Sequence, residues 1–349
     1  MSGNGSVRLD RRRLERVVRD FSRVRLLVVG DLVLDEYLWG DVDRVSPEAP
    51  VPVVHVAREG TVLGGAGNVV RNVVALGGAC RFASVVGDDG AGRRALDLLK
   101  ELDVDPRGVV VVPGRPTTRK TRVVARGQQI VRFDRETLDP LGPGPARRLV
   151  AAVGAELSEV DGVILEDYGK GALSKGVLGA AMRRFREAGV FVAVDPKTEL
   201  APFRGASLLK PNLREAESLT GLRIRDERDL GRAAERLRRR IGGGDVVVTR
   251  GGEGMTLFQG GAPGVDVRTA VREVFDVQGA GDTTIAALVL ALRAGASLLE
   301  AAVIANAAAG AVVAKVGTAT ASPDEVCALL PAAVEAARGP AVRDARRRA

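Results

Sequence analysis

Short apolar runs alternate along this chain with longer segments whose apolar positions recur every three or four residues. The runs at 26–30, 81–86, 109–112, 162–166, 190–195, 207–209, 245–250 and 255–259 have the length and β-branched content of buried strands. Between them, 66–76, 91–102, 146–157, 175–188, 227–241, 298–315 and 323–337 carry the helical period. A further helix is expected to start at Pro211-Asn212-Leu213-Arg214-Glu215. Strands alternating with helices predict an α/β fold with a doubly wound, mostly parallel sheet. Two stretches break the rhythm. Residues 37–40 and 51–57 read as short strands around the Pro-rich SPEAPVP turn, and 118–125 with 128–134 as a hairpin about Arg126-Gly127. Prolines make the first pair poor material for a central sheet, so both predict a small β flap or lid.

One stretch organises the others: 274–294, VFDVQGAGDTTIAALVLALRA. Ile285, Leu288, Val289 and Leu292 follow the i, i+3, i+4, i+7 spacing of a helix packed on a sheet. Gly279 and Gly281 let a ligand approach the backbone, and free N–H groups at the helix start suit an anion such as phosphate. Asp282 in the first turn admits two readings: a carboxylate favouring the helix dipole, or a general base beside the phosphate. Asp31 and Asp35 follow the first strand, at the carboxyl end where open α/β sheets place ligands. Gly64-Gly65-Ala66-Gly67-Asn68 opens a helix, but Val70 stands where a dinucleotide fingerprint needs its third glycine. Lys120, Arg122 and Arg126 lie at even spacings on the hairpin, which alternation sends to one face. They form either its solvated side or a contact for an anionic substrate.

Composition narrows the chemistry. There is one histidine, His55, and the two cysteines, Cys80 and Cys327, stand apart, so His triads, zinc sites and a disulfide framework are not indicated. Aromatics at 3% are too few for a stacking-based nucleic-acid binder. The net charge of +8 sits at the ends: residues 1–25 carry +5 and residues 338–349 carry +4, leaving the body near −1. Solvated, partly disordered ends are the expectation, with no nucleic-acid or membrane role. No secretory or membrane-spanning run is present, which predicts a cytoplasmic protein.

With GD at 30–31, GGAGN at 64–68, PNLRE at 211–215 and DVQGAGD at 276–282 in this order, the chain resembles the ribokinase-like, phosphofructokinase-B type carbohydrate kinases from about 25 to 325. Within that family RVSPEAPVPVV, TRKTRVVARGQQIVRFDRE, EDYGKGAL, VDPK and ANAAAGAVVAKVGTATASP are similar to the D-glycero-D-manno-heptose 7-phosphate kinases. The resemblance implies Asp282 as base, with Gly279, Ala280 and Gly281 as anion hole. It implies Asp31, Asp35, Gly64, Gly65 and Asn68 around the sugar hydroxyls. ATP would be met by Lys197, Asn212, Glu215, Thr249, Gly251, Gly254 and Asn306, with Mg2+ near Glu215 through phosphate or water. A monovalent cation and a homodimer formed through the lid are further implications. Lys120, Arg126 and Gln128 are the expected readers of a phosphorylated sugar. Two residues keep a structural alternative: Asn212 as helix cap, and Glu215 as its capping-box partner.

The chain departs from the family pattern at Gln278, where Thr is common, and at Glu166, where a small polar residue is usual. The domain reading is a basic segment 1–24, a kinase domain 25–337 with lid segments 37–57 and 118–134, and a basic tail 338–349. The nucleotidyltransferase domain that follows the kinase in bifunctional relatives is not expected within these residues. The competing readings are a kinase for another sugar or sugar phosphate, or a non-catalytic nucleotide or sugar sensor.

Overall fold

The computed structural model describes residues 9–197, 199–270, 276–315 and 317–338. Its central strand, β1 (Arg25–Gly30), is apolar on both faces, as a strand covered by helices on both sides must be. The chain then leaves for the lid along β2 (Leu32–Val45), returns along β3 (Pro52–Gly65), and enters α2 (Ala66–Ala75). Strands β4 (Ala79–Gly87) and β5 (Val109–Val112), with α3 (Gly90–Glu101) between them, extend the sheet beside β1. The hairpin β6 (Arg119–Ala125) and β7 (Gln128–Arg135) goes back to the lid.

After α4 (Pro143–Glu156) the chain crosses to the other side of β1, where β8 (Gly162–Glu166) pairs with it in parallel. Next come α5 (Lys175–Ala188), β9 (Phe191–Asp195), β10 (Leu208–Leu209), α6 (Leu213–Thr220), α7 (Glu227–Ile241) and β11 (Asp245–Thr249). Two antiparallel strands, β12 (Met255–Phe258) and β13 (Val265–Val267), close that edge. Helices α8 (Ala280–Arg293), α9 (Leu298–Val313) and α10 (Pro323–Arg338) complete the chain, and α1 (Arg11–Arg19) precedes β1.

The main sheet has nine strands in the order β13-β12-β11-β10-β9-β8-β1-β4-β5. Strand order reverses between β1 and β8, and at such a switch point the carboxyl ends of the strands part to leave a crevice. One apolar layer joins α1, α2, α8, α9 and α10 to the sheet. The other joins α4, α5, α6 and α7 to its opposite face. The doubly wound reading from sequence is therefore the observed architecture.

Three local expectations change. The lid strands β2 and β3 are fourteen residues each, far longer than the fragments 37–40 and 51–57, and the prolines sit near their connection. Little of their outer half is buried, so no core imposed the alternation by which a strand is recognised. They join β6 and β7 in a separate four-stranded sheet, ordered β3-β2-β6-β7. Helix α8 is buried nearly all round, because α2 and α9 pack against it as well as the sheet; its apolar stripe is wider than the four positions read from sequence, and Leu292 lies at its margin.

The third change is at the amino end. Basic residues there predicted a solvated segment, yet Leu14, Val17, Val18 and Phe21 are buried against the α9–α10 layer, and Arg13 Nε lies 2.6 Å from Glu300 Oε1. Arginines occupy the outer face of the same amphipathic helix, so net charge concealed a docking surface. The basic tail 339–349 lies outside the described residues. Truncating the fully buried Phe21 to Ala should cost about 3–5 kcal/mol of unfolding free energy. Denaturant titration checks this; an unchanged midpoint would mean the segment is a passive appendage.

Candidate active site

The crevice forms where the loop after β8 meets the start of α8. Gly279 is the N-cap of α8 with φ +77°, and a Cβ there would approach Asn68 Nδ2 to 2.7 Å. Glycine is thus required for conformation and for space. Gly279, Ala280 and Gly281 line the cavity, as an anion hole made of helix-start N–H groups requires. Asp282, the third residue of the helix, is buried and lines the same cavity.

Both oxygens of Asp282 are held. Asn68 Nδ2, from the first turn of α2, donates to Oδ2 at 2.7 Å, and the Tyr168 hydroxyl donates to Oδ1 at 2.8 Å. Burial pushes the Asp282 carboxyl above its ordinary range, while these two donors pull it back. Burial and the Asp282 charge keep Tyr168 well above the usual phenol range, so it stays a donor. Held on both oxygens by donors from distant elements, the carboxylate has partners that a helix-dipole role alone does not require.

Tyr168 was not among the residues singled out from sequence, although EDYGKGAL contains it. Its position depends on Asp31. The Asp31 carboxylate accepts the backbone N–H groups of Tyr168 and Lys170 on Oδ2 and of Ala172 on Oδ1, each at 2.9–3.0 Å. Asp31 is buried, and in this structure its carboxylate pins the 168–172 loop, a structural duty beside the contact with sugar hydroxyls that the resemblance implies.

On the nucleotide side, a cavity of about 570 Å³ brings together Lys197, Asn212, Glu215, Thr249, Gly251, Gly254 and Asn306, every one of the residues expected there. Three also have structural duties. Asn212 and Glu215 form the capping box of α6, so the structural alternative is realised on a cavity-lining turn. Glu215 Oε2 accepts the Asn212 N–H at 2.9 Å, and Oε1 is 3.4 Å from Lys197 Nζ. Asn306 donates to the carbonyls of Val267 and Arg268, fixing β13 against α9.

Sequence reasoning singled out Glu166 only as a departure from the family pattern and overlooked Lys210 and Asp195, which line this cavity with it. Lys210 is buried with its ammonium 2.7 Å from Asp195 Oδ2. Burial lowers the Lys210 pKa, but Asp195 and Glu166 more than offset it and leave it raised. Burial lifts Asp195 to about 6 against the pull of Lys210. Glu166 is also buried, one oxygen has no hydrogen-bond partner, and burial followed by repulsion from Asp195 holds it well above the carboxylate range. A lysine after two leucines gives no periodic signal, which is why only the fold reveals it. Among the described residues no group of three or more His, Cys, Asp or Glu side chains has metal-holding geometry.

On the lid side, Asp35 is buried and ion-paired with Arg122 Nη1, and Asp35 faces Lys120 across the β2–β6 register. Burial lowers the Lys120 pKa, with Asp35 opposing. Gly64 permits this packing, since a Cβ there would come within 1.9 Å of Asp35 Oδ2. Gly65 ends β3 where α2 begins, with the Ala66 N–H donating to the Asp31 carbonyl.

Arg126 and Gln128 are not brought to this group. They sit at the hairpin tip, beside the Ala125↔Gly40 pair, five register steps or about 17 Å along β6 from Lys120. Arg126 has φ +50° and donates to the Val42 carbonyl at 3.1 Å, so it belongs to the turn and not to the strand face that alternation assigned it. Gln278 Oε1 lies 3.5 Å from the Tyr37 hydroxyl, giving the departure from the usual Thr a contact with the lid.

A carboxylate in the first turn of a helix, a glycine-rich turn that caps that helix, a cavity at the switch point and a separate β lid are the arrangement of a ribokinase-like phosphotransferase. Residues 25–325 match the pfkB family carbohydrate kinases, and the chain belongs to that family. Kinases of this family use ATP and bind a sugar. The chain is 47% identical over 319 residues to the bifunctional protein HldE of Geobacter metallireducens, covering 91% of this chain and 65% of that protein. It is 46% identical over 319 residues to the HldE of Geobacter sulfurreducens, with the same coverage. It therefore spans about two thirds of the length of these curated relatives.

Solved structures agree on the fold. Arabidopsis thaliana ribokinase complexed with ribose and ATP superposes with a TM-score of 0.70 at 22% identity, covering 88% of this chain and 98% of that one. Phosphofructokinase-2 from Escherichia coli in complex with potassium gives 0.72 at 23% identity, covering 89% and 99%.

Replacing Asp282 by Asn should lower kcat by at least about 10²-fold while ATP affinity, measured by calorimetry, is retained. A variant that turns over normally would remove Asp282 from the chemistry. Gly64→Ala should force Asp35 from Arg122 and raise the KM of the sugar with that of ATP unmoved; equal KM values for the sugar would show that the lid yields without cost.

Proposed function

We propose that this carbohydrate kinase transfers the γ-phosphoryl group of ATP to the anomeric hydroxyl of D-glycero-D-manno-heptose 7-phosphate, giving the 1,7-bisphosphate and ADP. Such a product is a precursor of ADP-heptose, used for lipopolysaccharide or related glycans. The observation that carries the reading is the cationic pair Lys120 and Arg122 around Asp35, in a body that is otherwise close to neutral. A sugar already bearing a phosphate needs such a socket. The likeness to the HldE proteins across 91% of the chain points the same way.

In this reading Asp282 accepts the proton of the anomeric hydroxyl as its oxygen bonds to phosphorus, and ADP leaves with the electrons of the broken P–O bond. Phosphoryl transfer demands positioning and charge neutralisation more than covalent help. The N–H groups of Gly279, Ala280 and Gly281 would hold the charge that develops, a contribution of about 10²–10³ in rate for one such donor. Lys197, at the cavity margin, would meet the nucleotide phosphates. Mg2+ would arrive with ATP and neutralise its phosphates, and Glu215 with Asn212 fits it through water, since both are committed to the capping box. A monovalent cation is a further expectation, tested by turnover with and without potassium.

Two copies joined through the lid would cover Val56, Ile130, Val131 and Phe133, which are exposed on it. Among the described residues no helix is long and apolar enough to cross a membrane, and a cytoplasmic site of action agrees with the use of ATP.

A coupled ADP-release assay over heptose 7-phosphate, fructose 6-phosphate, ribose and ketodeoxygluconate tests the substrate. The highest kcat/KM should belong to heptose 7-phosphate, and a preference for any of the others overturns the assignment. Lys120→Ala should raise the KM of the phosphorylated sugar about tenfold, from loss of a charged hydrogen bond of about 1.5–3 kcal/mol, with the KM of ATP unmoved. A change confined to ATP would place Lys120 on the wrong ligand.

A further inference from the structure

Arg71 lies on α2, one turn after Asn68, and its guanidinium is largely withdrawn from water. Burial lowers its pKa, with the charges of Asp35 and Asp282 opposing, yet among the described residues its hydrogen bonds go to neutral acceptors and not to either carboxylate. A desolvated cation held without a direct ion pair is costly. Its Nη1 donates to Asn68 Oδ1 and to the Thr318 carbonyl, both at 3.0 Å.

The consequence follows from donor and acceptor inventories. A guanidinium has no acceptor, so Asn68 must turn its oxygen toward Arg71 and therefore its nitrogen toward Asp282. The 2.7 Å bond from Asn68 Nδ2 to Asp282 Oδ2 is that arrangement. Without Arg71, the amide is free to rotate and present its oxygen to the carboxylate, turning a supporting contact into a repulsive one.

We infer that Arg71 is a positioning residue for the catalytic base: it sets the orientation of the Asn68 amide and so secures a hydrogen-bond donor on Asp282. It acts through Asn68 and does not touch the reacting atoms. The inference rests on Asp282 being the base of the kinase reaction and not on which sugar is phosphorylated.

The test is the pH profile of kcat at saturating ATP and heptose 7-phosphate for the wild type and for Arg71→Met and Arg71→Lys. The charged groups facing Asp282 are Asp35 on the lid, Glu166, Asp195 and Lys210 at the strand ends, Arg71 on α2, and the Tyr168 hydroxyl. Loss of a donor favours the protonated carboxyl, so activity should be lost at higher pH. The acid limb of Arg71→Met should move up by about one pH unit and kcat at neutral pH should fall about tenfold or more. Lys, which also only donates, should restore the limb.

If Arg71→Met does not fold, as judged by circular dichroism, Arg71→Gln should show the same upward movement. An unmoved limb in the folded variant overturns the inference. So does a loss confined to the KM of the phosphorylated sugar, which would make Arg71 a direct reader of substrate. A wild type silent on heptose 7-phosphate but active on fructose 6-phosphate would refute the substrate assignment alone, and the same profiles would then be recorded with that sugar.

Discussion

Burying a carboxylate raises its pKa unless hydrogen-bond donors oppose the desolvation, and that constraint organises this molecule. Asp282 is buried, and burial pushes its carboxyl up. The rise is opposed by one donor from the second helix and another from the loop after the eighth strand, elements separated from it by 214 and 114 residues. The fold is the device that brings these three pieces together. The chain reversal between β1 and β8 opens the space, and the N-terminus of α8 fills it from below.

The same economy explains Asp31. A buried carboxylate accepting three backbone N–H bonds holds a loop that has no regular structure of its own. Through that loop it delivers the Tyr168 hydroxyl to Asp282. The buried Lys210–Asp195 pair and the neighbouring Glu166 show the opposite balance, charges kept beneath a cavity at a desolvation cost that a nucleotide would help to offset.

Much of this was legible before the structure. Central strands declared themselves as continuous apolar runs because helices cover both their faces, and the helices between them as periodic segments. The glycine-rich turn before Asp282 marked the expected anion site, and at Gly279 conformation and space both exclude a side chain. What stayed hidden has physical causes. The lid strands face water, so nothing imposed alternation on VAREGTVLGG, and their length was underestimated. Arg126 was assigned a face by counting, but a turn residue with positive φ no longer obeys the strand period. Tyr168, Arg71 and Lys210 carry no spacing signal, since their partners are brought near only by tertiary folding. The basic amino end read as solvated because charge counts ignore which face of a helix the charges occupy.

The lid leaves the body at Leu32 and returns at Gly65, and these two residues face each other in the β2–β3 register. Its two long strands reach about 45 Å from that root, beside which the β6–β7 hairpin enters at Arg119 and leaves at Arg135. It is a cantilever, and displacement in a cantilever grows with distance from the clamp. Asp35, Lys120 and Gly64 lie close to the clamp, where a sugar would be gripped with little play. The turn at 46–51 and the hairpin tip at 126–127 lie at the free end, where the same bending energy yields the widest sweep. One ribbon can thus be stiff near its root and compliant at its tip.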